Sequence, residues 1–110
     1  MSDPTDLTTL RCRPLEGQPP MSTAEITQQL AHAPGWALAD GAIQKSFDFA
    51  DFHRTMAFVN AVAWVAHVED HHPELVVLYN RCIVRFSTHS VRGISINDFI
   101  CAAKVDALLP

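Results

Sequence analysis

No stretch of the chain approaches the roughly 18 consecutive apolar residues that a membrane span needs, so no transmembrane role is expected. Basic residues are scarce: eight Lys and Arg stand against twelve Asp and Glu, for a net charge of −4. A nonspecific hold on nucleic acid needs a basic face, which this balance does not supply. Cysteine is thin as well. Cys12, Cys82 and Cys101 are odd in number and far apart. They fit neither a disulfide framework nor a CxxC metal knuckle, and they point to a reducing compartment, the cytoplasm. Only four glycines occur, and no Gly-rich phosphate loop is among them. The N-terminus lacks a basic-then-apolar pattern, so no signal peptide is read. What remains is ordinary for a globular protein: 110 residues, 48% apolar and 18% charged, enough for one domain with one modest core.

Residues 1–20 read as a flexible N-terminal tail. Pro4, Pro14, Pro19 and Pro20 punctuate them without any periodic apolar pattern, so the segment cannot by itself offset its ordering entropy. Arg11-Cys12-Arg13 suggests a docking or redox feature, although a mobile end is the plainer reading. Residues 21–110 form the expected domain. Ser22 or Thr23 can cap a short helix, with Glu25 in its first turn and Ile26 and Leu30 on one stripe, ending before Pro34-Gly35. Asp40-Gly41 separates the runs Trp36–Leu38 and Ile43–Phe49, a strong hairpin signal because both turn residues tolerate positive φ. From Asp51 to about His71 the apolar period becomes helical. Phe52, Met56, Val59, Ala63 and Ala66 recur at three or four residues, with Phe58, Val62 and Val65 beside them. Pro73 stops this helix. Trp64 lies on it, and core packing is its plain reading. Leu75–Tyr79 and Cys82–Phe86 read as strands joined by a turn at Asn80-Arg81. Ser95, with Asp98 three residues on, opens a last helix whose apolar face carries Ile96, Phe99, Ile100, Ala103 and Leu108. The expected fold is α+β: one four-stranded antiparallel sheet with three helices on one face, in the order α-β-β-α-β-β-α.

Six histidines are present, and three fall in the stretch His67-Val-Glu-Asp70-His71-His72-Pro73. Histidine can give or take a proton near neutral pH. A helix C-terminus, where carbonyls lack partners, favours the imidazolium, as do nearby carboxylates such as Glu69 and Asp70. His89 follows the last strand, inside Ser87-Thr88-His89-Ser90. Strands of matching length would return it to the sheet end that meets the long helix. Rival readings stand beside acid–base chemistry. Any one of these histidines can be structural. His67 and His71 have the i, i+4 spacing of a zinc site, but Val68 stands where a His-Glu-x-x-His motif needs its glutamate. Asp98 is as readily a plain helix cap as a group that orients a histidine. His32 and His53 read as surface residues. Nucleophilic catalysis has little support, since Cys82 belongs to a strand and Cys101 to a helix.

These residues resemble the signature of the pterin-4a-carbinolamine dehydratase family. His67, His71-His72-Pro73, Tyr79, His89 and Asp98 meet every spacing of that signature. Pro34-Gly35-Trp36, Asp40-Gly41, Phe47-Asp48-Phe49, Tyr79-Asn80-Arg81 and Gly93-Ile94-Ser95 also look like the family, so the likeness spans about residues 22–109. It implies a sheet with three helices on one side, homodimers or homotetramers, no metal and no cofactor. The implied reaction is loss of water from 4a-hydroxytetrahydropterin to give quinonoid dihydropterin, which recycles the cofactor of aromatic amino-acid hydroxylases. Carried over by position, His71, His72 and His89 are the active histidines. Asp70 to His72 and Ser87, Thr88, His89 and Ser90 form the pterin-binding walls. Asp98 orients His89 or caps its helix, and His67 supports the site, where many relatives have an acidic residue. Leu75 replaces an aromatic found in animal members, at a strand packing position. A binding or regulatory protein of the same fold, such as a dimerisation partner or a Rubisco-assembly relative, is the alternative from another class. A zinc protein is the third.

Overall fold

At Asp40-Gly41 φ is 51° and then 80°. Two successive positive φ values match the right-handed twist of the flanking strands, and Asp and Gly adopt them at least cost. In the computed structural model, which describes residues 6–110, this turn joins β1 (Ala37–Ala39) to β2 (Ala42–Asp48). The other elements are α1 (Thr23–Leu30), α2 (Phe52–Glu69), β3 (Glu74–Val77), β4 (Arg81–Phe86) and α3 (Ile96–Asp106). Short 3-10 turns occupy Leu7–Thr9 and His89–Val91. The four strands form one antiparallel sheet in the order β1-β2-β4-β3. The α-β-β-α-β-β-α order and the sheet with three helices are therefore as expected.

Register decides which face each side chain takes. Ile43 lies opposite Phe86 and Phe47 opposite Cys82, with Val84 between them on β4. All five are buried, and Ile26 of α1, Phe58 and Val62 of α2, and Phe99, Ala102 and Val105 of α3 join them in one core. On the other face, Arg85 stands opposite both Gln44 and Glu74 and hydrogen-bonds to each. The buried line of α2 is Thr55, Phe58, Val62, Ala66 and Glu69. Trp64 lies off that line and is 66% exposed, contrary to the core packing read from sequence. The apolar stripe was wide enough to fit more than one face, and the sheet selected one. Strand β3 ends at Val77, earlier than the expected Tyr79, because Leu78 N–H bonds to the Arg81 carbonyl and closes the turn over Tyr79-Asn80.

Helix α2 stops at Glu69, two residues before the expected His71. Asp70 takes the left-handed conformation at φ 51°, His71 N–H reaches back to the Ala66 carbonyl, and Asp70 N–H reaches His67. These paired bonds are a Schellman cap, with Asp in the place glycine usually takes. The cap closes the helix and hands the chain to His71.

Composition suggested a free end for the first twenty residues. Residues 1–5 lie outside the described part, whereas residues 6–20 run along the ends of α2 and α3. Leu15 is buried, and Met21 N–H bonds to the Ile94 carbonyl. Arg13 N–H donates to Asn97 Oδ1, while Asn97 Nδ2 donates to the Arg13 carbonyl. The strongest anchor is Glu69. It accepts from Cys12 N–H at 2.8 Å, Lys104 Nζ at 2.8 Å and Arg11 Nε at 3.0 Å. These partners come from far along the chain, which is why no local pattern announced them. Burial alone raises the Glu69 carboxyl, but Lys104, the Cys12 amide and Arg11 outweigh it and bring the pKa down from 4.5 to about 2.

Two outcomes follow. Asp70→Gly keeps or slightly raises the unfolding free energy, while Asp70→Val lowers it by about 1–2 kcal/mol, because a β-branched residue resists the left-handed region; denaturant melts read both. A depressed carboxylate pKa adds stability that is complete above the unfolded value and lost as pH falls through the folded one. The thermal midpoint of the wild type should therefore fall between pH 4.5 and about 2, and Glu69→Gln should flatten that fall. An equal fall in both proteins would contradict the assignment.

Candidate active site

The Schellman cap ending α2 places His71 and His72 in the wall of a cleft of about 540 Å³. The 3-10 turn after β4 brings His89 to the same cleft, with Ser87, Thr88 and Ser90, and Asp70 lies on the α2 side. Seven residues proposed from sequence as catalytic or pterin-binding thus line one cavity: Asp70, His71, His72, Ser87, Thr88, His89 and Ser90. The two segments meet because β3 and β4 run out and back over similar lengths, as their register shows.

Beneath the cleft is a buried carboxylate. Asp98, in the first turn of α3, is 0% exposed. Its Oδ2 accepts from Thr88 Oγ1 at 2.8 Å and from Ser95 N–H at 2.9 Å. Its Oδ1 lies 2.6 Å from His71 Nε2. A carboxylate only accepts, so the hydrogen is on Nε2, and this leaves His71 Nδ1 as the second ring nitrogen for exchange. The His71 ring also stacks on Phe86, with centroids 5.9 Å apart and planes within 10°. It is therefore held at one edge by a charge and on one face by an aromatic ring.

Sequence left two roles open for Asp98, and the structure shows it in both with one change of partner. It caps α3 through a capping box with Ser95. Its histidine partner, however, is His71 and not His89. Its link toward His89 is the neighbouring Thr88, whose hydroxyl also lies 2.6 Å from Ser95 Oγ. The resemblance implies His89 as that partner, but the turn His89–Val91 leaves His89 exposed on the cleft wall, while the α2 cap brings His71 to Asp98. His67 is not brought to the cleft. It is exposed on α2 beside Trp64, with ring centroids 5.4 Å apart.

Some wall residues escaped the sequence reading. Asp40, Gly41, Glu74 and Arg85 also line the cleft. The Arg85 guanidinium is fixed by Glu74, Gln44 and the Asp40 carbonyl. The alternation of β4 placed Arg85 opposite the core face, but only the register put it at the sheet end that holds the site. Among the described residues, no group of three or more His, Cys, Asp or Glu side chains is arranged to hold a metal ion.

Comparison with known proteins bears on the same features. A model of the family described as pterin 4 alpha carbinolamine dehydratase matches residues 19–108. A protein of Nitrosospira multiformis is 53% identical over 104 residues, covering 94% of this chain and 92% of that one. One of Chromobacterium violaceum is 48% identical over 103 residues, covering 94% and 95%. Both carry a provisional naming as pterin-4-alpha-carbinolamine dehydratase. A solved structure from Brucella melitensis, described as a transcriptional coactivator/pterin dehydratase, superposes with a TM-score of 0.79 at 34% identity. It covers 83% of this chain and 99% of its own. With a family match from residue 19 to residue 108 and relatives of this similarity, the chain belongs to the pterin 4 alpha carbinolamine dehydratase family.

Proposed function

We propose that the protein removes water from a 4a-hydroxytetrahydropterin to give quinonoid dihydropterin, recycling the pterin cofactor of aromatic amino-acid hydroxylases. The observation that carries this reading is the convergence of His71, His72 and His89 on one cleft, with His71 held by the buried Asp98. In the reaction the lone pair of the ring nitrogen N5 forms a double bond to C4a, the C4a–O bond breaks, and the hydroxyl leaves as water. One group gives a proton to the departing oxygen, and another takes the proton from N5. Each such group typically contributes 10²–10⁴-fold, roughly 3–5 kcal/mol of barrier. His71 and His89 are the proton donor and acceptor, and His72 binds and orients the pterin. Asp98 fixes His71 in the tautomer whose Nδ1 can accept, and it stabilises the imidazolium once that proton arrives. Asp70, Ser87, Thr88 and Ser90 supply polar walls for the bicyclic ring.

Supporting residues play smaller parts. His67, exposed beside Trp64, stands outside the cleft near the end of α2. We place the protein in the cytoplasm as a homodimer or homotetramer, working without metal, cofactor, nucleic acid or membrane. Three free thiols and the exposed apolar side chains Trp64, Val76 and Leu78 support that placement. A second reading, a binding or regulatory protein of the same fold, draws on the coactivator half of the Brucella melitensis description. Histidines converging on a cleft with a buried carboxylate favour the enzyme, since a scaffold needs none of them.

The test is direct. Synthetic 4a-hydroxytetrahydropterin is followed by absorbance with and without protein, while circular dichroism confirms the fold of each variant. His71→Ala and His72→Ala should each slow catalysed dehydration about tenfold or more, with His89→Ala falling in the same direction. The wild-type rate should show a limb or a bounded plateau between about pH 5 and about pH 9, where imidazoles titrate. A flat profile, or no acceleration together with a tight protein partner, would sink the enzymatic reading.

A further inference from the structure

Glu69 is a buried carboxylate that the proton-transfer scheme leaves unused; its side chain is 1% exposed. It is the last residue of α2, two positions before His71. Lys104, its partner at 2.8 Å, belongs to α3, the helix whose first turn supplies Asp98. The clamp thus ties the end of α2, which hands the chain to His71, to the last turn of the helix whose first turn holds Asp98 at 2.6 Å from His71. Arg11 adds a second hold, with Nε on the Glu69 carboxylate and its terminal nitrogen on the Val68 carbonyl in the last turn of α2. The Cys12 amide completes the set. A hydrogen bond as short as that of His71 tolerates little sliding between its two supports.

We propose that Glu69, gripped by Lys104 and by the N-terminal segment, is a positioning residue that sets the His71–Asp98 contact. The inference rests on the dehydratase reading for its consequence in rate, but not for its structural readout. Glu69→Gln keeps the shape and removes the charge that holds Lys104 and Arg11. It should lower kcat about tenfold while KM stays within about twofold, because alignment changes and the binding walls do not. The hydrogen-bonded Nε2 proton of His71 should give a downfield NMR signal in the wild type that broadens or exchanges faster with water in the variant. Lys104→Gln should reproduce the loss, also where Glu69→Gln does not fold, and Lys104→Arg, which retains the cation, should keep both readouts at the wild-type level. A variant with a lower melting temperature but an unchanged His71 signal and kcat would overturn the proposal. If the wild type shows no turnover, the dehydratase reading fails, and the His71 signal alone still decides the role of Glu69.

The sulfurs of Cys12 and Cys101 lie 3.6 Å apart, although 89 residues separate them in sequence. From this contact we infer a redox modification site that takes a hydroperoxide. The Cys12 sulfur, half-buried on the N-terminal segment, attacks the O–O bond, giving a sulfenic acid and releasing the other oxygen as water or alcohol. The Cys101 sulfur then attacks the Cys12 sulfur, and hydroxide leaves with the thiol proton as water. The two thiols lose two electrons in all, and the hydroperoxide gains them. Cys101 is the resolving partner, since it is fully buried on α3 and the half-buried Cys12 is the sulfur a hydroperoxide can reach. Formation of the bond would tie the N-terminal segment to α3 beside Glu69. The test treats the chain with hydrogen peroxide, denatures it, alkylates free thiols and counts labels by mass. The reduced chain should take three labels and the oxidised chain one, at Cys82. Three labels after oxidation, or a bond to Cys82 or between two chains, would refute the site.

Discussion

One buried carboxylate organises the functional end of this protein. Asp98 is removed from water, and a charge there is tolerated only when its lone pairs are met. Ser95 N–H, Thr88 Oγ1 and His71 Nε2 meet them, and they come from the start of α3, the end of β4 and the cap of α2. A single group thereby fixes three segments of backbone and one imidazole. The helix cap is not separate from the site: the interaction that starts α3 is the one that orients His71.

The sheet supports this arrangement from below. Register pairs Phe86 with Ile43 in the core and leaves Thr88 and His89 just past the end of β4. Phe86 then serves both sides, as a core residue and as the surface on which His71 stacks. The cleft is built on the end of a strand and a capped helix, which holds side chains more closely than a free loop does. The Asp40-Gly41 turn and Arg85 complete the wall of the same cleft.

Much of this was legible in the sequence because the signals were local. The Asp40-Gly41 turn, the capping box at Ser95 and Asp98, and the break before Pro73 each occupy a few adjacent residues. The seven cleft residues were legible through the family signature and through strand lengths of similar reach. The partner of Asp98 was not, because a left-handed cap at a non-glycine residue gives little warning, and that cap is what turns His71 inward. Trp64 misled because α2 is apolar over a broad arc. The N-terminal segment reads as free because its anchors, Glu69 and Asn97, lie more than fifty residues away, where no periodicity can report them.

The measurement closest to the centre of this account is the dehydration rate of synthetic 4a-hydroxytetrahydropterin with Asp98→Asn. Asparagine keeps the shape and an accepting oxygen but removes the charge behind His71. The account predicts a folded protein whose rate falls about tenfold or more below that of the wild type. A folded Asp98→Asn protein that dehydrates the pterin at the full wild-type rate would contradict it.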